Sequence, residues 1–247
     1  ENNVIQNVRE QGLPELITMH GINSYFGNGD IIRNNIIHNI HSKAVNSSAG
    51  ILLSGSSGEY GVNNQVYNNM IYDIQCTSNQ SVRNVAGIIL WYQNNPKIYY
   101  NSIYLSGIGN GANPLGSASL YIDLNCTNVE VKNNIFVNTR DESPYCASAI
   151  YDYNTLNITS DYNDLYSNNY LVRVGSTNYN TLADWQTTGQ DINSLNEIAN
   201  FTSPTDLHIN NNYITKLDGY ATPIAGIETD FDGQPRNALL PDIGADE

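Results

Sequence analysis

Short β-branched and aromatic runs punctuate this chain: Ile31-Ile32, Val66-Tyr67, Lys97-Ile98-Tyr99, Glu130-Val131 and Asn157-Ile158. Turn residues separate them, and no apolar period of 3.6 is sustained over ten or more positions, so the pattern predicts strands rather than a helical repeat. An asparagine follows each run at a nearly fixed interval. Asn3, Asn35, Asn69, Asn101, Asn134 and Asn163 are separated by 32, 34, 32, 33 and 29 residues. Two positions after each lies a large apolar residue: Ile5, Ile37, Ile71, Ile103, Phe136 and Leu165. Three positions before five of them stand Ile32, Val66, Ile98, Val131 and Ser160. One apolar unit per fixed period must stack on its neighbours to bury a common core, which is the signature of a solenoid.

A second register agrees. Ala49-Gly50-Ile51, Ala86-Gly87-Ile88, Ala118-Ser119-Leu120 and Ser148-Ala149-Ile150 each place an apolar residue after a small pair, 13 or 14 residues before the next ladder asparagine in three cases. The fourth separation is 18, so residues 54–61 read as a loop insertion. Each coil then carries about three short strands, and successive coils stack in parallel at roughly 4.8 Å. The expected fold is an all-β parallel β-helix of about six coils over residues 1–174, followed by a cap over 175–247. Asparagine suits the repeated corner because it tolerates a left-handed backbone and its amide can bond to its counterparts one coil away. The ladder is therefore expected to be structural. With Asn3 already in register, the chain is expected to be the C-terminal portion of a longer helix, because an open β edge invites pairing or end-to-end self-association.

After Asn163 the period fails. Residues 181–189, from Thr181 through Trp185 to Gly189, predict a short helix with a threonine or asparagine cap and a closing glycine, placed to cover the last coil. The segments 179–186, 189–191 and 206–208, then Asp230-Phe231-Asp232-Gly233-Gln234-Pro235-Arg236 and Asp242-Ile243-Gly244-Ala245-Asp246-Glu247, resemble the C-terminal closure of secreted bacterial right-handed parallel β-helix proteins. These belong to the pectate-lyase-like superfamily. With the upstream coils the resemblance covers nearly the whole chain. It implies a right-handed helix and a secreted or cell-surface location.

Composition fits this picture. The 247 residues include 39 asparagines and 18 tyrosines against 10 Lys plus Arg, a polar, turn-rich and aromatic-laced mixture. A net charge of −14 argues against nucleic acid and against polyanionic sugars unless a cation bridges them, so neutral glycans fit better. No run of 18 apolar residues exists to span a membrane. Cys76, Cys126 and Cys146 match no zinc spacing, and one disulfide or three buried thiols are both open. Calcium is the one cofactor weighed. Asp230 and Asp232 supply two oxygens beside the turn glycine Gly233, but the longer acidic loop of a calcium hand is missing, and turn capping or pairing with Arg236 is the stronger expectation.

Strand alternation then selects outward rows. Leu52, Ile89, Tyr121 and Tyr151 form one, with Ser54, Trp91, Asp123 and Tyr153 a step along each strand. Stacked aromatics suit the apolar faces of sugar rings and Asp123 suits their hydroxyls, so Trp91, Tyr121, Asp123, Tyr151 and Tyr153 are the expected substrate-binding residues. In the β-helix enzymes that the chain resembles, the groove follows this same sheet, walled by the loops leading into it, here about 75–86, 106–117 and 139–147. A second row, Arg33, Tyr67, Tyr99, Lys132 and Asp161, reads as a solvated face with Lys132 meeting Asp161 and Lys97 meeting Glu130. His38 and His41 read as a solvated corner. No catalytic cluster emerges: Asp123 and Asp152 are offset by one position and should face opposite ways, whereas an inverting hydrolase needs two carboxylates ~6.5–9.5 Å apart on one face. The functional classes in play are glycan binding or adhesion, a structural rod or fibre subunit, and a polysaccharide lyase or glycoside hydrolase.

Overall fold

The structure, a computed structural model, describes residues 1–9, 18–42, 47–76, 85–109, 116–123, 125–143, 146–153 and 156–247. The chain is a parallel β-helix built from three sheets. The first stacks Val4–Arg9, Ile36–Ser42, Met70–Cys76, Ser102–Leu105, Ile135–Asn138 and Asp164–Ser167. The second stacks Ile31–Arg33, Gln65–Tyr67, Lys97–Tyr99, Val129–Lys132 and Ile158–Asp161. The third stacks Met19–Tyr25, Ser48–Ser54, Val85–Trp91, Ser117–Ile122, Ala147–Asp152 and Tyr170–Val174, with Thr177–Tyr179 closing it antiparallel. The ladder asparagines count six coils, but strands of all three sheets occur together only from Met19 to Ser167, with Val4–Arg9 before and Tyr170–Val174 after.

Register places the repeated apolar residues in columns. Ile37, Ile71, Ile103, Phe136 and Leu165 lie over one another, fully shielded, as do Ile51, Ile88, Leu120 and Ile150. Each such side chain contributes ~1.5–3 kcal/mol by leaving water. The small residues before the second column answer a close approach: a Cβ on Gly50 would meet Ile71 Cγ2 at 2.5 Å, and one on Gly87 would meet Ile103 Cγ2 at 2.5 Å. Residues 54–61 are the expected insertion, closed by reciprocal Ser56–Glu59 backbone bonds of 2.8 and 3.2 Å.

The asparagine ladder is continuous. Nδ2 of Asn35 donates to Asn69 Oδ1 (2.9 Å), Asn69 to Asn101 (2.9 Å), Asn101 to Asn134 (3.0 Å) and Asn134 to Asn163 (3.0 Å). The left-handed conformation expected of these asparagines belongs instead to the residue before each: Asn34, Asn68, Tyr100, Asn133 and Tyr162, with φ between 49° and 61°. The division of labour is physical. The left-handed residue turns the chain, which frees the following amide to point inward and bond the next coil.

Those corner side chains point outward and grip the end of the chain. Asn34 Nδ2 donates to Asp230 O (3.1 Å) and Phe231 O (2.8 Å), Asn68 to Thr229 O (2.8 Å) and Asn133 to Thr222 O (2.7 Å). The middle of the second outward row, Tyr67 and Tyr99, is therefore covered rather than solvated, while Arg33, Lys132 and Asp161 stay partly exposed. Tyr67 and Tyr99 are buried with Tyr100, Ile135 and Val137 against Ala199, Leu217, Ala221, Ile227 and Ile243. The expected ion pairs also differ: Lys132 Nζ meets Glu130 on its own strand (2.6 Å), Tyr99 Oη donates to Glu130 (2.6 Å), and Asp161 accepts from Asn193 (2.7 and 2.8 Å). A lysine reaches two residues along its own strand as easily as one coil across, and strand pattern does not rank these choices. His38 and His41 lie within the strand Ile36–Ser42 rather than at a solvated corner, His38 stacked on Tyr72 at 4.8 Å and His41 3.3 Å from Asp73.

The helix Leu182–Gln186 covers the last coil. Thr181 caps it by accepting from Asp184 N (3.1 Å), and Trp185 enters the interior core with Nε1 donating to Asp191 Oδ2 (2.6 Å). Among the described residues, no helix is long and apolar enough to cross a membrane.

Candidate functional site

The third sheet carries the expected site on its outer face. Interior alternation fixes this, because Leu53, Leu90 and Ile122 sit in the core while their strand neighbours point away. Leu52, Ile89, Tyr121, Tyr151 and Arg173 share one column. Tyr25, Ser54 and Trp91 share the next, continued by Asp123, whose N–H donates to Leu90 O (2.8 Å), and Tyr153, whose N–H donates to Ile122 O (2.8 Å). All five sequence-derived residues thus lie on one face.

Their accessibility differs from the expectation of an open aromatic surface. Tyr121 and Tyr151 are only 4% and 3% exposed and, with Leu52, Ile89 and three stacked alanines, form an apolar cluster separate from the interior core. The physical reason is mutual cover. The two rings meet edge to face at 5.3 Å, and the Arg173 guanidinium lies 4.2 Å over Tyr151. Burial raises the Tyr151 phenol above its ordinary pKa, a shift that Arg173 opposes and that Tyr153 and Asp123 reinforce, so it remains a proton donor. What stays accessible is the neighbouring column: Tyr25, half-buried Trp91 and Asp123, and Tyr153 at 41% exposure.

The accessible column widens into an aromatic band at the corner leaving this sheet. Tyr25 packs on Phe26 (3.9 Å), Trp91 on Tyr92 (5.9 Å), Tyr92 on Tyr60 (5.7 Å) and Tyr153 on Tyr151 (6.2 Å). Phe26 and Tyr92 both turn the corner with left-handed φ, 57° and 53°, an uncommon conformation for aromatic residues. Tyr60, Tyr92, Phe26 and Arg173 were not singled out from sequence. Tyr60 lies in the insertion, and Tyr92 turns a corner outside the asparagine ladder. The paired order Tyr25-Phe26 and Trp91-Tyr92 at equivalent steps was the available signal.

Among the described residues, Asp123 is the only carboxylate in this outward column. Asp152 replaces an interior residue in the Leu53, Leu90, Ile122 column and is 1% exposed, so the two carboxylates face opposite sides of the sheet. Comparison with protein-family models, with curated proteins and with solved structures finds no match to this chain. Of the expected wall loops 75–86, 106–117 and 139–147, residues 77–84, 110–115 and 144–145 lie outside the described residues.

The weighed calcium residues lie elsewhere, in the closing segment. Asp230 is fully buried and both oxygens are engaged by backbone, accepting from Gln234 N (2.7 Å) and Glu247 N (3.2 Å). Asp232 is exposed and meets His208 Nε2 at 3.2 Å. Arg236 pairs with Glu247 (3.2 Å), donates to Asn68 Oδ1 (3.1 Å) and the carbonyls of Gly244 (2.9 Å) and Ala245 (3.2 Å), and stacks 4.0 Å over Tyr100. The three cysteines form no disulfide, and burial pushes the Cys126 thiol up to about 12, which leaves it unreactive.

Proposed function

We propose that the chain is a glycan-binding β-helix that lays an extended, largely neutral polysaccharide along the aromatic band of the third sheet. The observation that carries this reading is the line of accessible rings, Tyr25, Trp91 and Tyr153, following the coil axis with Tyr60 and Tyr92 alongside. Such rings offer broad apolar faces to the C–H faces of sugars at small entropic cost, and Asp123 accepts from hydroxyls between them. The buried Tyr121 and Tyr151, with half-buried Arg173 over Tyr151, back the band. Resemblance of the closing segment to secreted bacterial β-helix proteins supports an extracytoplasmic setting, where polysaccharide is the abundant partner. A lone carboxylate in the column favours binding over inverting hydrolysis.

Affinity electrophoresis against a panel of neutral and acidic polysaccharides tests this. The expected result is retardation by at least one neutral glycan, reduced tenfold or more in Trp91→Ala, with no reducing ends released. Full mobility across the panel, or retention untouched by Trp91→Ala, would reject the site. Appearance of reducing ends or of absorbance near ~235 nm from unsaturated uronates would replace binding with catalysis.

A further inference from the structure

Three parts of the closing region converge on a small polar centre away from the aromatic band. His208 comes from the hairpin of Phe201–Ser203 and Asp206–Ile209, Asp232 from the turn after Asp230, and Asp246 from the end of the chain. One ligand atom from each of the three lies within 4.8 Å of the others. Ligand atoms ~2.1 Å from a common ion are at most ~4.2 Å apart, so small side-chain movements close this set around one ion.

The groups behind these atoms hold them in a ligating pose. His208 Nδ1 is bonded to Asp206 Oδ1, which leaves Nε2 as the end facing Asp232 and Asp246. A carboxylate behind the imidazole is the usual outer support of a metal-bound histidine, since it fixes the ring and raises its basicity. Phe231 packs edge-on against the same ring at 5.8 Å, and Ile209 N–H fixes Asp246 by donating to Oδ2 (2.9 Å). Three carboxylates surround one imidazole, and the nearby cation Arg236 is already engaged by Glu247 and by carbonyls. The excess negative charge favours a divalent cation.

We propose that His208, Asp232 and Asp246 bind one first-row divalent transition ion of the zinc type, pinning the closing segment to the hairpin. A nitrogen donor with two carboxylates suits such ions, whereas calcium takes six to eight oxygens. Asp232 is exposed, so the ion enters from solvent and keeps water on its open side.

The test uses the whole chain, stripped with chelator, exposed to zinc, manganese, calcium or magnesium chloride and desalted before elemental analysis. The expected result is one zinc per chain and a melting temperature several degrees higher in zinc. Asp232→Asn should weaken zinc retention tenfold or more while changing the metal-free melting temperature little, because its pair with His208 is solvent-exposed; Asp184→Asn, on the capping helix, should retain zinc fully. Zinc held equally by Asp232→Asn, as adventitious thiolate binding would give, overturns the proposal. So does substoichiometric zinc in the wild type, or a preference for calcium.

Discussion

At the scale of single residues, the buried amide of Asn101 shows what the inner ladder asparagines Asn69, Asn101 and Asn134 each do for the coil stack. It donates to Asn134 Oδ1 (3.0 Å), Val66 O (2.9 Å) and Tyr99 O (2.9 Å), and its Oδ1 accepts from Asn69 Nδ2 (2.9 Å). Asn101→Ala strands several buried partners at ~1 kcal/mol or more each, so urea denaturation should show a loss of ~3 kcal/mol or greater. Asp164 behaves oppositely. Its carboxyl is fully buried, one oxygen accepts from Glu197 N (2.8 Å), the other has no partner, and burial pushes its pKa from 3.8 up to about 7. The folded state therefore holds a proton that the unfolded chain has released, and this residue's contribution to stability falls as pH rises from about 4 to about 7. Asp164→Asn should therefore match the wild type near pH 4 and be clearly more stable than it at pH 8.5. Denaturation curves at the two pH values check the sign.

At the scale of elements, strands and cap are local decisions and the closing strap is not. Apolar alternation and the small pair before each interior column depend on neighbours in sequence or one coil away, which is why the three strands per coil, the insertion at 54–61 and the helix around Trp185 are legible without coordinates. The left-handed corner is only half legible, since asparagine fits both its turning residue and its inward amide. The route of the closing segment is illegible because its partners lie far off, as with Asn68 and Thr229, 161 residues apart. That strap explains the Asp230-to-Glu247 pattern as a lock: Asp230 closes a turn, and Arg236 ties Asn68 to the last residues. Arg236→Lys keeps a charge but loses the planar fork and the stacking on Tyr100, so it should cost ~2–4 kcal/mol and expose Tyr67 and Tyr99 to faster proteolysis of the strap. Trp185→Ala opens the end of the core and should cost ~3–5 kcal/mol by the same denaturation measurement.

At the scale of the whole molecule, the β-helix is a rigid ruler. Coil stacking repeats each outward position at the strand spacing, so Tyr25, Trp91 and Tyr153, placed on alternate coils with Ser54 and Asp123 between them, form a line parallel to the axis. This face was legible as a row of Trp91, Tyr121, Asp123, Tyr151 and Tyr153, but its depth was not. Alternation says which way a side chain points, not whether its neighbours cover it, and the tilt of Tyr121 against Tyr151 with Arg173 above seals the inner column. Binding therefore falls to the outer column and the corner aromatics. The chain has two tryptophans, and Trp185 is fully buried, so Trp185→Phe leaves Trp91 as the sole reporter on that column. Iodide quenching of this variant, with and without the glycan that retards the wild type most, tests the account most directly. Saturable protection of Trp91 from quenching is the predicted result; quenching unchanged at saturating glycan would contradict it.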